Sequence, residues 1–366
     1  MKISIIIPVY NVELYINDCL KSVFAQSYKD LEIIIVNDKT QDRSMEIIED
    51  LVSKKKDLYE IKIINHTKNR GLSVARNTGI KESTGDYLFF LDSDDEITPE
   101  CIDLLVSCLN NRSLDIVVGD YVTIGDRSLP SLQFSNSVIY GNKKIRELYM
   151  KERIYGMAWN KLINKAFLLK NKLYFTEGLI HEDCLWSFQL ACHVQSIGFV
   201  KHHTYTYKLR QSSIITSLSI EKELSAFKQV IKGMIDYAGK YGLLNDKYVH
   251  SFIEEEKLRL LNTLTSTECV DIEEPKSLYM FYRNLYMPNL TRLFVWNFFK
   301  SRKCIRDAHY FLPFSLGTEY YLKLPNYLNL RSLKNNKIRF YLWFLKIVIV
   351  RVLGLQKLLK TELISM

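Results

Sequence analysis

The sequence predicts an α/β protein: a mixed, mainly parallel sheet flanked by helices, then a mostly helical, basic C-terminal region. Three observations predict it. Over the first 120 residues short apolar runs alternate with segments of helical spacing. The runs are continuously apolar, as strands covered on both faces must be. From about residue 216 the alternation stops and long helical segments take over.

Each element has its own signal. Ile3–Ile7 is a buried-type strand closed by Pro8, and Val12–Gln26 carries Leu14, Cys19, Leu20, Val23 and Phe24 at helical spacing. Leu31–Val36 is a second strand and Ser44–Val52 a helix. Ile61–Ile64, Leu72–Lys81 and Tyr87–Leu91 repeat the alternation. Thr98-Pro99-Glu100 is a helix start, an N-cap followed by Pro in the first turn, leading to Leu109. Leu114–Val118 is a fifth strand; Glu182–His193, Glu221–Tyr241 and Asp246–Thr267 read as helices. The expected domains are 1–216 and 217–366, with a boundary near Ser217.

Composition narrows the function classes. At 47% hydrophobic and 25% charged the chain is ordinary globular protein. Its seven cysteines form no C-x-x-C and no Cys/His ligand spacing, which reads as reduced thiols and not as a disulfide or zinc framework. Ile3–Ile7 is too short for the apolar core of a leader, so a cytoplasmic chain is expected. The net charge of +9 belongs to the tail: Lys300–Met366 holds thirteen Lys and Arg against three acids, leaving the remainder near neutral. No nucleic-acid reader motif accompanies that charge, and an anionic membrane surface is the expected partner. Ile338–Leu355 is apolar but broken by Arg339, Lys346 and Arg351. It suits a helix lying on the inner face of the membrane better than one crossing it. Leu293–Lys300 is a second candidate anchor, the alternative being that both are core helices.

Ligands of parallel sheets bind at the carboxyl ends of the strands. Here four such ends are polar in succession: Pro8-Val9-Tyr10-Asn11, Asn37-Asp38, His66 to Asn69, and Asp92/Asp94/Asp95. Two acids spaced i, i+2 after a buried strand supply hard oxygens suited to Mn2+ or Mg2+, metals that usually also hold a diphosphate. The plain alternative is that these acids serve the turn and the next helix.

Taken together, the segments resemble glycosyltransferase family 2, which has the GT-A (Rossmann-like) fold. The resemblance rests on Ile5-Ile6-Ile7-Pro8-Val9-Tyr10-Asn11, Val36-Asn37-Asp38, Asn69-Arg70-Gly71 with Ala75-Arg76-Asn77, and Phe90-Leu91-Asp92-Ser93-Asp94-Asp95. Trp159-Asn160-Lys161-Leu162, His181-Glu182-Asp183 and Tyr205–Arg210 complete it, over residues 1 to 216. It implies an inverting, metal-dependent transferase of polysaccharide biosynthesis. The donor implied is a nucleotide sugar, expected to be a UDP-sugar, and the acceptor a glycan or lipid-linked glycan. Asp38 then accepts from the uracil N3–H, with Pro8, Tyr10 and Asn11 along the base and ribose; capping the following helix is the alternative for Asp38. Asn69 and Arg76 meet the nucleotide, or Arg76 pairs with an acid of the neighbouring crevice loop. Asp92 leans toward ribose and metal, and Asp94 toward the metal.

Asp183 is the expected catalytic base and Glu182 its runner-up, with the helix dipole favouring the anion. Trp186, one turn on, is expected to stack on a sugar. His181 is a candidate phosphate contact, and Lys208 and Arg210 are expected to close over the donor phosphates. Lys39 departs from the family's usual Gly; a positive φ there would cost about 1 kcal/mol. Two rival readings are weighed. A nicotinamide oxidoreductase lacks its G-x-G-x-x-G here. A non-catalytic glycan-binding or scaffold protein would keep the fold and have no need of the acids.

Overall fold

The computed structural model describes residues 1–125, 131–132, 134–209, 219–266, 273–297, 301–312, 314–324 and 344–348. The chain divides into two compact units, residues 1–230 and 231–366. The boundary expected near Ser217 falls outside the described residues.

The first unit runs β1 (Ile3–Val9), α1 (Ile16–Phe24), β2 (Leu31–Asn37), α2 (Ser44–Ser53), β3 (Glu60–Asn65), α3 (Leu72–Glu82) and β4 (Tyr87–Phe90). There follow β5 (Glu96–Ile97), α4 (Cys101–Leu109), β6 (Ile116–Ile124), β7 (Ser137–Tyr140), α5 (Asn142–Met150), β8 (Lys161–Asn164), α6 (Lys165–Lys170), α7 (Glu182–His193) and β9 (Ser196–Lys208). The described strands form one sheet in the order β3-β2-β1-β4-β8-β6-β9-β5, with β7 beside β9. β3, β2, β1 and β4 run parallel, as do β6 and β9. β8 is antiparallel to both β4 and β6, and so joins the two parallel parts.

Register places Ile5 opposite both Ile33 and Phe89. These side chains pack with Cys19, Leu20 and Val23 of α1 in one core. Each buried aliphatic or aromatic side chain there contributes roughly 1.5–3 kcal/mol. On the other face α3 lies tight on β1. A Cβ at Gly79 would come within 2.2 Å of the Ile6 side chain, so only glycine lets the helix approach this closely. That approach fixes where Arg76 stands, one turn earlier on the same helix.

The second unit is helical: the C-terminal half of α8 (Ile220–Lys240), then α9 (Lys247–Ser266), α10 (Glu273–Leu285), α11 (Leu290–Asn297), α12 (Ser301–Asp307) and α13 (Phe314–Leu322). No helix among the described residues is long and apolar enough to cross a membrane. The described parts of the two expected anchors are largely core. Leu293, Phe344, Ile347 and Val348 are buried in the unit's apolar cluster, and Phe294 and Trp296 pack against it. Val295 and Leu345 remain exposed. Most of Ile338–Leu355 lies outside the described residues.

Candidate functional site

Helix α3, the carboxyl end of β4 and the start of α7 bring charged side chains together. Their centre is Arg76, which is 2% exposed. Its Nη2 donates to Asp92 Oδ1 and its Nη1 to Glu182 Oε1, each at 2.7 Å. The guanidinium lies 5.2 Å from the centre of the Phe175 ring, and its Nε has no hydrogen-bond partner among the described residues. Burial opposes the charge on Arg76; Asp92 and Glu182 outweigh that and hold it protonated. Of the two readings of Arg76, the structure gives the pairing with acids of the crevice loops. Its neighbour Asn77 was quoted in the motif without a role. Asn77 Nδ2 donates to Phe175 O at 2.8 Å and its Oδ1 accepts Phe175 N–H at 2.9 Å, which anchors the segment leading to α7. An Asn inside a helix, where its propensity is poor, was the available signal.

Helix α7 starts at Glu182, as the spacing predicted, after His181 in the left-handed region at φ 61°. The His181 ring stacks on Phe227 at 4.6 Å, and its buried Nε2 has no partner among the described residues. The helix dipole was expected to favour the anionic acids; burial prevails. It pushes Glu182 up to about 7 against the pull of Arg76, and it raises Asp183 as well, with Asp92 adding to the shift. Glu182 is bound to Arg76. Asp183 is half-buried and forms no ion pair among the described residues, which leaves it the better placed of the two to take a proton.

The acidic loop sorts its three carboxylates. Asp95 is fully buried: Oδ2 accepts the Tyr205 hydroxyl at 2.7 Å and Oδ1 the Lys208 N–H at 2.8 Å. Burial, then Asp94 and Asp92, raise its pKa; those two bonds work the other way. Asp92 and Asp94 are half-buried. Asp92 gives one oxygen to Arg76 and keeps Oδ2. This donor set fits a hard divalent cation bound by two carboxylates and completed by phosphate and water oxygens, the usual manner of Mg2+ and Mn2+. It is not a cage made by the protein alone, since no three acid, His or Cys groups converge on one point among the described residues.

The nucleotide side departs from expectation. Pro8 is buried within β1; Tyr10, Asn11 and Asn69 are exposed beyond the strand ends, with Asn69 Oδ1 accepting Gly71 N–H at 3.1 Å. Asp38, expected to face a base, is 3% exposed and already engaged. It accepts His66 Nδ1 at 2.7 Å, Arg70 N–H at 2.9 Å and Gly71 N–H at 2.7 Å. It therefore holds the Asn69–Gly71 turn ahead of α3, and it does not cap the following helix α2. Lys39 does adopt positive φ, 61°, so the turn keeps the shape that glycine usually provides. Thr40 helps to hold it, donating its N–H to Asn37 Oδ1 at 2.9 Å.

One expected contact is corrected. Trp186 is 1% exposed, stacked on Phe175 at 4.4 Å, with Nε1 donating to Leu173 O, so it is core and not a sugar platform. Lys208 spends its ammonium on Glu96 and its N–H on Asp95. Arg210 lies outside the described residues.

A mixed α/β sheet with an acid-lined crevice at its carboxyl end defines a GT-A fold. Residues 4–170 match the model of glycosyl transferase family 2. An uncharacterized glycosyltransferase of Haemophilus influenzae is 38% identical over 229 residues, covering 63% of this chain and 84% of that protein. The chain belongs to glycosyltransferase family 2. Glycosyltransferase GlyA of Streptococcus pneumoniae is 30% identical over 303 residues, 73% of this chain and 42% of that one. The chain thus spans less than half of GlyA, and 62% of a Bacillus subtilis relative, the putative glycosyltransferase EpsH. Among solved structures, residues 1–349 of S. aureus TarS in complex with UDP-GlcNAc share the fold. The TM-score is 0.65 at 19% identity, over 92% of each chain.

Proposed function

We propose that this chain transfers a sugar, with inversion, from a UDP-sugar to a hydroxyl of a glycan or lipid-linked glycan in polysaccharide-type biosynthesis. One observation carries the reading: Arg76 bonds at 2.7 Å to Asp92 on one side and to Glu182 on the other, so the acidic loop and the α7 acids share one site. The poly(ribitol-phosphate) β-glucosyltransferase of Bacillus spizizenii, 31% identical over 215 residues, and the UDP-GlcNAc held by TarS support the choice of substrates.

Asp92 and Asp94 hold the divalent metal, Mn2+ or Mg2+, which when bound neutralises charge on the departing diphosphate. Asp183 takes the proton from the acceptor hydroxyl as its oxygen attacks the anomeric carbon from the face opposite the diphosphate. The bond to the diphosphate breaks, and UDP leaves with the electron pair. Glu182 and Asp92 keep Arg76 fixed between them throughout, and Arg76 orients both. The basic tail meets an anionic membrane that carries the acceptor; anionic liposomes should bind the chain at low salt and release it at high salt.

The test is UDP release from a panel of UDP-sugars with and without Mn2+. Turnover should need the metal and disappear in Asp94→Ala with the fold intact; full activity of that variant refutes the assignment.

A further inference from the structure

One phenol touches the loop that carries Asp92 and Asp94 at two points. Tyr205 is fully buried in β9, its ring stacked on Trp159 at 4.5 Å and 7°. Its hydroxyl donates to Asp95 Oδ2 at 2.7 Å and accepts the Asp92 N–H at 3.3 Å. A hydroxyl has one proton and two lone pairs. Giving the proton to Asp95 leaves the oxygen to receive Asp92, so the direction of both bonds is set. One oxygen therefore touches the turn at its first and its last acid, with Asp94 between them.

Other contacts hold the loop as a fold element. Asp95 N–H bonds to Asp92 O at 3.0 Å, and β5 pairs with β9 at Glu96 opposite Thr206 and Ile97 opposite Tyr205. Those contacts survive loss of the phenol oxygen. What would be lost is the tie between the Asp92 backbone and the Asp95 carboxylate.

We propose that Tyr205 is a positioning residue for the donor-metal site: its hydroxyl sets the spacing of Asp92 and Asp94 by clamping both ends of their turn. The inference rests on Asp92 and Asp94 being the metal-holding pair. Partners one step behind metal ligands typically change affinity 10- to 100-fold when removed, and a hydroxyl that touches two residues of a four-residue turn belongs with them.

The experiment is an electron paramagnetic resonance titration of Mn2+ into the whole chain with saturating UDP, which reads bound metal without turnover. Tyr205→Phe keeps the stacked ring and deletes only the oxygen. It should weaken Mn2+ binding roughly 10- to 100-fold and raise the Mn2+ needed for half-maximal turnover by the same factor. Tyr155→Phe is the control. It removes a hydroxyl of the same aromatic cluster, one that serves Gly119 O and Asn160 O and not the loop. Its Mn2+ affinity should match the unaltered chain. Equal Mn2+ affinity in Tyr205→Phe and the unaltered chain overturns the inference, as does equal weakening in both variants. Should Tyr205→Phe not fold, Asp95→Leu removes the acceptor and breaks the same tie from the other end, and unchanged affinity there is equally fatal. Absence of Mn2+ binding by the unaltered chain with UDP is a different result, and defeats the metal-site reading itself.

Discussion

The two ends of one sheet treat buried acids in opposite ways. At the amino end, Glu32 of β2 is fully buried and well served. Ser4 donates at 2.5 Å, Lys62 at 2.6 Å, and Thr84 through both its N–H at 2.7 Å and its hydroxyl at 2.9 Å. Burial raises the pKa of this carboxyl, but those bonds outweigh it and bring it down to about 2. At the carboxyl end Glu182 meets one cation that it shares with Asp92, with Asp183 beside it, and burial pushes it up to about 7. Both are buried glutamates; Glu32 has more donors, and burial weighs more heavily on Glu182. A carboxylate given four donors stabilises the fold, and acids kept short of donors stay ready to exchange a proton.

That contrast can be broken from either side. The largest effect is expected at Asp183. Asp183→Asn should lower transfer by roughly 10²- to 10⁴-fold, the usual worth of a positioned base. Thermal stability should stay level or rise, because a charge that burial disfavours has been removed. A drop in melting temperature with activity intact would reverse the roles assigned to the two ends.

Glu32→Gln is the mirror experiment. Lys62 keeps Glu60 at 3.6 Å, but the Ser4 and Thr84 hydroxyl donors become poorly matched, and the change should cost about 1–2 kcal/mol in denaturant unfolding. The kcat of the folded fraction should not change.

Acidity separates the ends without mutation. The folded pKa of Glu32 is lowered, so its contribution is complete above its ordinary value of 4.5 and is lost as pH falls toward about 2. Discounted for partial screening, that is worth about 2 kcal/mol. The folded pKa of Glu182 is raised, so its contribution to stability is complete below 4.5 and lost as pH rises through about 7. Activity, which needs the ionised acids, should climb over that same upper window. A kcat/KM profile rising toward neutrality is expected beside a stability profile that falls in acid, through Glu32, and again as pH rises through about 7, through Glu182. Parallel profiles would merge the two ends.

The smallest effect belongs to Lys39. Lys39→Gly relieves the left-handed backbone at φ 61° and should change stability by less than about 1 kcal/mol, upward, because glycine also gains freedom in the unfolded chain.

The sequence made the strands and their polar ends legible because local apolar runs and strand ends carry that information. α7 was placed correctly from its first residue for the same reason. Partners far apart in the chain were not legible. Arg76 and Glu182 are 106 residues apart, Asp38 and Gly71 33 apart, and Tyr205 and Asp95 110 apart. A carboxylate in a motif looks the same whether it pairs with a buried arginine, like Asp92, or serves the backbone, like Asp38. Trp186 misled for a related reason: helical spacing placed it one turn beyond the acids, but it could not reveal that Phe90 and Phe175 would enclose its ring.

The most direct test of charge held for chemistry at the carboxyl end is calorimetric titration of UDP into the chain, with and without Mn2+, repeated for Asp94→Ala. The account predicts that Mn2+ tightens UDP binding in the unaltered chain and that the gain vanishes in the variant. Equal tightening in both, or no UDP uptake under any condition, would contradict it.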